Sequence, residues 1–313
     1  MSKKAIAAML VVAVLVVASA AVAMIYLNKD NASDGTTGTI SVLDDRGKAV
    51  NLTGAPERIV SLGSAFTEII FDLDAKDKVV AADKSSMWLV ENTTGTENIT
   101  NLQGVSTLSV ESILALDPDL VVIWNFGMYS TFITNMESSG IPVAAFYPKN
   151  VTTILETIDK LGELIGEKTK AQAMVSDMNA RIDAVLEKTA NISESERPKV
   201  YLELASYGGT TVGNGTMSND LIEMAGGVNI FNNGTKNWVA STESIVEKNP
   251  DIIVIEDAST KSNDDLKANL GSTVAAVSGD KIYRIDGTTL TTSPSVVEAL
   301  ENMAKWFHPT LFQ

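Results

Sequence analysis

Few side chains in this sequence can make or break a bond. Its 313 residues include no cysteine and a single histidine, His308. That excludes a cysteine nucleophile, a disulfide, a thiolate metal site and a lipid anchor on an N-terminal cysteine. A Ser-His-Asp triad or a histidine-based metal site would have to rest on that one imidazole. Neither GxxxxGK[ST] nor GxSxG occurs, and the glycine-rich stretch GGTTVGNGT matches no phosphate loop. The remaining chemistry is recognition by carboxylates and aromatic rings. Two carboxylates stand out by position, because Glu111 and Glu243 open the same phrase: ESILALDPDLVVI at 111–123 and ESIVEKNPDIIVI at 243–255.

The phrase describes its own local structure. Ser109 and Ser241 lie two residues before each glutamate, where an N-cap belongs. Glu111 and Glu243 then fall in the first helical turn, where a negative charge meets the positive end of the helix and stabilises it by about 0.3–1 kcal/mol. Ile113 and Ile245 are placed to anchor each helix to a sheet. Pro118 and Pro250 stop the helices, and the apolar runs after them predict buried parallel strands. Local physics permits the glutamates without requiring them: a helix-terminus charge and a functional role account for them equally well.

Around the repeat, strands alternate with helices, which predicts mostly parallel sheets covered on both faces. In the first half these are RIVSL, the helix SAFTEIIFDL, KVVAA, the first phrase and IPVAAFY. Residues 151–190 change period and contain no proline, which predicts two helices broken near Gly166, the second long and rigid, with Ala173, Val175, Met178, Ile182 and Val185 on its apolar face. After the turn NISESERPK, the second half restarts with KVYLELA, the helix NDLIEMAGG, the second phrase, KIYRID and a final amphipathic helix from SPSVVEALENMAKWF. The expected fold class is α/β: two similar lobes with mostly parallel sheets joined by one long rigid helix. The expected divisions are 1–27 as N-terminal signal or membrane anchor, 28–54 as tether and edge strand, and 55–150 as N-terminal lobe. Residues 151–190 form the helical segment and 191–313 the C-terminal lobe.

Composition narrows the partners. The formal net charge of −15 argues against nucleic acid, whose phosphates need clustered Lys and Arg. Lys3 and Lys4 precede the uncharged run 5–27, which is about as long as a membrane-spanning helix. Positive charge on its N-terminal side sends the rest of the chain outward, whether the segment stays as an anchor or is cleaved near Ala18–Ala23. Asn-x-Ser/Thr acceptor sites at Asn31, Asn51, Asn92, Asn98, Asn150, Asn191, Asn214 and Asn233 agree with an exported, glycosylated surface protein.

Five blocks in order resemble the ferric-siderophore and cobalamin class of ABC-importer substrate-binding proteins. They are RIVSLGSAFTEIIFDLDAKDKVVAAD, SVESILALDPDLVVIW, SNDLIEMAGGVNIF, TESIVEKNPDIIVI and LENMAKWFHPTLF, and together they span Arg58 to near the C-terminus. The resemblance implies the same two-lobed shape, with a ligand cleft between the lobes, and it gives the paired glutamates a use. One surface glutamate on each lobe of such proteins docks into arginine pockets of the permease, and Glu111 and Glu243 match those positions. Two positions depart from the pattern: GSAFTE stands where Ser-Pro-x-x-Thr-Glu is usual, and Asp74 where a glycine is usual.

Cleft residues are expected in loops after the C-terminal ends of strands. These loops carry Lys84, Trp88, Trp124, Met128, Tyr129 and Tyr147 in the first lobe, and Tyr207 and Trp238 in the second, with Arg284 as a further cation. Flat aromatic walls suit a macrocycle or a metal chelate. With one histidine, no bare metal site is expected, and no resident cofactor; any metal arrives chelated. The expected function is capture of a ferric siderophore, another iron complex or haem outside the cytoplasmic membrane for an ABC permease and its ATPase subunits. A corrinoid-binding protein of the same class and a glycosylated adhesion or sensor module are the alternatives. An enzyme is not expected.

Overall fold

The computed structural model describes residues 39–104, 108–205, 209–234 and 237–313. An antiparallel hairpin comes first, β1 (Ile40–Leu43) and β2 (Ala49–Leu52). The first sheet follows with β3 (Ile59–Leu62), α1 (Ser64–Asp72), β4 (Val79–Asp83), α2 (Met87–Asn92), β5 (Thr100–Leu102), α3 (Val110–Leu114), β6 (Leu120–Trp124), α4 (Ser130–Ser138) and β7 (Val143–Phe146). Two consecutive helices, α5 (Val151–Ile165) and α6 (Lys168–Thr189), lead to the second sheet. That half contains β8 (Lys199–Leu204), β9 (Thr210–Thr211), α7 (Met217–Met224), β10 (Val228–Asn229), α8 (Thr242–Lys248), β11 (Ile252–Glu256), α9 (Asn263–Leu270), α10 (Ala275–Ser278), β12 (Ile282–Ile285) and α11 (Val296–Phe307).

The strand order is β5-β4-β3-β6-β7 in the first sheet and β10-β8-β11-β12 in the second, and every pair along both paths is parallel. Four strands therefore match place for place: β4-β3-β6-β7 against β10-β8-β11-β12. The central strands are buried on both faces, as their unbroken apolar runs require. Where the sequence predicts one edge strand, the structure forms a hairpin, and its turn covers the open edge at β7. Asp45 N–H donates to Ala145 O at 3.1 Å, and the Asp44 and Asp45 carboxylates accept the N–H groups of Ala145 (3.2 Å) and Tyr147 (2.7 Å).

The repeated phrase is held in the same way in both sheets. Ser109 and Ser241 cap α3 and α8 by accepting the N–H groups of Ser112 (3.1 Å) and Ser244 (3.2 Å). Ile113 and Ile245 are buried beneath them. The aspartate after each proline anchors the neighbouring strand: Asp119 accepts the N–H groups of Glu57 and Arg58 at 2.8 and 3.0 Å, and Asp251 that of Lys199 at 2.8 Å. The basic residue of that strand reaches back to the end of the phrase's own helix. Arg58 donates to the Leu116 and Asp117 carbonyls, and Lys199 to that of Lys248 at 3.2 Å. Helix, strand and neighbouring strand thus close into one unit, with cations at the negative helix ends.

Between the sheets, α5 buries Ile154, Ile158, Leu161, Leu164 and Ile165, each a gain of about 1.5–3 kcal/mol over exposure. Gly166 ends the helix in the left-handed region at φ 83°, open to glycine without strain. On α6 the buried stripe is Ala171, Met178, Ile182 and Val185; Ala173, expected on that face, is exposed. Arg181 of α6 forks onto Glu301 of α11 with two 2.9 Å contacts, tying the long helix to the second half. Asp74, where glycine is usual in the resembling family, does adopt a left-handed conformation, at φ 60°.

Candidate functional site

A helix that precedes a parallel strand runs back along the sheet, so its N-terminus lies at the level of the C-terminal strand ends. The N-termini of α3 and α8 therefore stand at the same edge as the loops expected to bind ligand. Both Glu111 and Glu243 are exposed there, in equivalent first turns. Beside Glu111 a groove of about 630 Å³ runs between α3 and α4, lined also by Leu108, Val110 and Phe132.

The loops after β6 and β7 form an aromatic shelf. Trp124 and Phe126 stack with ring centres 5.3 Å apart and planes within 2°. Tyr147 meets Phe126 edge-on at 5.2 Å and 77°, and Tyr129 leans on it at 5.9 Å. Phe126 is thus the hub of the shelf, and it is absent from the residues the sequence singles out. The available signal was alternation in WNFGMY, where rings two residues apart can share a side. Met128 is 72% exposed and Tyr147 40%, so the shelf keeps open surface. Trp124 also rests on Phe66 (4.7 Å) and directly over Gly63, whose φ of 152° and lack of a side chain leave room for the indole. A Cβ at Gly63 would lie 2.4 Å from Trp124 Nε1, which explains why glycine and not serine begins GSAFTE in this chain.

Beneath the shelf, polar side chains are joined. Thr67 Oγ1 lies 2.7 Å from Ser61 Oγ and 2.8 Å from Ser86 Oγ, and Ser86 donates to the buried Asp83 at 2.8 Å. Burial, followed by the Asp83 charge, raises the Tyr129 phenol above its ordinary pKa. Across the cleft, Glu203 is 2% exposed, accepts from the Tyr201 hydroxyl at 2.8 Å and pairs with Lys261 at 2.7 Å. Burial first, then Glu203, drives the Tyr201 phenol far above its ordinary value.

The two halves touch through Glu68. This α1 carboxylate accepts the N–H of Ser295, the residue before α11, at 3.0 Å, and so caps a helix of the other half. An interlobe cavity of about 450 Å³ opens beside it, lined by Asp72 and Trp88 from the first half, Arg181 from α6, and Asp286, Thr288 and Glu298 from the second. Burial raises the Glu68 carboxyl. Asp72 stands at the cavity mouth, still reached by solvent; partial desolvation by the surrounding walls and then the Glu68 charge push its carboxyl up to about 6 from 3.8. A carboxyl raised on folding binds more protons in the native state, so its contribution is present below its unfolded value and is lost as pH rises through about 6. Asp72→Asn will therefore narrow the difference in melting temperature between pH 5 and pH 7.5. Thermal unfolding of both proteins at both pH values checks this; an unchanged difference would count against it.

The structure brings Trp124, Tyr129 and Tyr147 together and places Met128 beside them. Trp88 (39% exposed) lines the interlobe cavity instead, and Lys84 is exposed at the end of β4. Trp238 packs edge-on against Phe231 at 5.6 Å, and its backbone bridges Thr211. Among the described residues no ring contact joins Trp88 or Trp238 to the shelf. Arg284 does not present its charge to the cleft: it donates to Asn263 Oδ1 at 3.0 Å and to the Glu256 and Lys261 carbonyls. His308 Nε2 lies 3.1 Å from Gly226 O, a packing role. Tyr207 and the expected N-terminal anchor lie outside the described residues.

Comparison with known proteins agrees with this geometry. The family model described as periplasmic binding protein matches residues 59–289. An uncharacterized ABC transporter substrate-binding lipoprotein of Bacillus subtilis, YvrC, is 28% identical over 282 residues, covering 88% of this chain and 87% of its own. A cobalamin-binding protein of Halobacterium salinarum is 28% identical over 277 residues, covering 85% and 73%. Among solved structures, a periplasmic solute binding protein from Veillonella parvula superposes with a TM-score of 0.75 at 22% identity, covering 88% of each chain.

Proposed function

We propose, from the premise that this chain belongs to the periplasmic binding protein family, that it captures a chelated metal outside the cytoplasmic membrane and delivers it to an ABC permease. Members of this family bind solutes for ABC importers, and the shape described here is theirs. The observation that carries the ligand class is the aromatic shelf. Trp124 stacked on Phe126, with Tyr147 at its edge, offers a flat face to a planar or compact metal complex. An iron chelate, a metal tetrapyrrole and a corrinoid all present such a surface. The protein itself supplies no resident cofactor and no bond-breaking chemistry in this reading, and the metal is cargo.

Glu111 and Glu243 are the docking contacts with the permease, one from each lobe. Their exposure and equivalent placement support this, since a two-lobed binder meeting two permease subunits needs one anionic contact on each side. Residues 1–27 hold the protein at the outer face as an anchor, or are cleaved during export. Calorimetric titration of the protein with haemin, cobalamin and ferric chelates tests the ligand reading, with saturable one-to-one binding of at least one probe expected. No binding to any of them sinks it. Trp124→Ala should weaken whichever probe binds by about tenfold or more, since stacking on an aromatic face contributes about 1–3 kcal/mol in comparable recognition.

A further inference from the structure

Resting on the solute-binding reading above, we infer that the cargo is a metal complex of zero or positive net charge, and that the cleft discriminates against polyanionic chelates. The walls of the cleft differ in kind. The first-lobe wall is aromatic and offers mainly apolar area, with Lys149 over one of its rings. In the second lobe, the loops after β11 and β12 enclose a space of about 480 Å³ lined by Asp257 and Asp286, and Asp286 lines the interlobe cavity as well. That cavity adds the carboxylates of Glu68, Asp72, Asp177 and Glu298. Even under the shelf the fixed charge is negative, at Asp83.

Most cations near these walls are already committed. Lys261 is held 2.7 and 2.9 Å from the two oxygens of Glu203, so the pair presents no net charge. Arg284 spends its guanidinium on Asn263 and two backbone carbonyls. Arg181 is forked onto Glu301, and Lys149 sits 4.8 Å above the Tyr147 ring. Lys84 is exposed at the rim. Lys149 and Lys84 keep their charge at the first-lobe rim, whereas at the second-lobe wall an anionic ligand meets like charge at Asp257 and Asp286 and finds Lys261 and Arg284 already paired. At an effective dielectric of about 20, each unit of ligand charge about 8 Å from such a carboxylate changes affinity by roughly thirtyfold without salt and by about fourfold at physiological ionic strength, where these exposed groups are screened. A neutral or cationic complex meets no such penalty and keeps the whole stacking surface.

The test is a calorimetric titration of the full chain in detergent with four probes. Hydroxocobalamin and a ferric trihydroxamate represent neutral or cationic complexes; a ferric tricatecholate and haemin represent anionic ones. At least one of the first two is expected to bind tenfold or more tightly than either anion. Asp257→Asn with Asp286→Asn should shift that ratio toward the anions by about tenfold. Asparagine keeps the cap that Asp286 provides to the Thr288 N–H, and both aspartates are exposed, so the variant should fold. A tighter anionic probe, or a ratio that the double substitution leaves unchanged, overturns the charge assignment alone. Binding of none of the four overturns the solute-binding reading and this inference with it.

Discussion

With Glu111 and Glu243 both replaced by alanine, uptake into vesicles carrying the cognate permease and ATPase will fall by about two orders of magnitude, while the affinity of the free protein for its solute stays unchanged. Each glutamate is exposed in the first turn of a short helix capped by its own serine, so neither carries the fold. Removing one costs the helix about 0.3–1 kcal/mol, a small part of the stability of a domain. At a docked interface the same charge would face an arginine partly shielded from water, where losing one member of a pair costs about 2–5 kcal/mol. Roughly tenfold per glutamate, about 1.4 kcal/mol, sits just below that range, as a contact left partly open to water should. The single variants should each fall about tenfold, because the two contacts lie on separate lobes and meet separate subunits. Transport by the double variant at the wild-type rate would remove the docking role.

How far the sequence could be read depends on the range of the interaction. The caps at Ser109 and Ser241, the buried Ile113 and Ile245 and the break at Gly166 are all local, decided within four residues of chain, and all are present in the structure. The alternation of strands and helices gave the fold class for the same reason. The aspartates after Pro118 and Pro250 carry no comparable local signal. Their work is to hold Arg58 and Lys199, separated from them by 61 and 52 residues, and no periodicity reports a contact at that distance. Glu68 capping α11 spans 227 residues and was equally invisible. The expected edge strand became a hairpin because its turn satisfies the open edge of β7, a need that arises only once the sheet exists. In the site, the aromatic residues near strand ends were legible as a set. Which of them meet was not: Phe126 joins Trp124, Tyr129 and Tyr147, whereas Trp238 turns to Phe231 in its own lobe. Neighbouring rings compete for the same core and cleft surface, and packing settles that competition.

Gly63→Ala will cost roughly 1–3 kcal/mol of stability and will also weaken ligand binding, two effects that normally separate core from site. The reason is a shared volume. Gly63 sits at φ 152°, between β3 and α1, and the indole of Trp124 occupies the space a side chain would need. A Cβ there would stand 2.4 Å from Trp124 Nε1, 2.9 Å from Cδ1 and 3.0 Å from Phe66 Cδ2. Either the indole leaves the shelf or the turn into α1 opens. The first breaks the Trp124–Phe126 stack, and the second pulls on Thr67 and Glu68, and through Glu68 on the other lobe. Backbone strain and steric conflict can be told apart with a second substitution. In the Gly63→Ala, Trp124→Ala double variant the conflict with the indole is gone and the strain of a side chain at that φ remains. The double variant should therefore be destabilised by less than the sum of the two single variants, by on the order of 1 kcal/mol, with chemical denaturation as the measurement. Strict additivity would mean that Trp124 does not fill the glycine's space. The shelf would then owe its position to Phe66 and Phe126 alone.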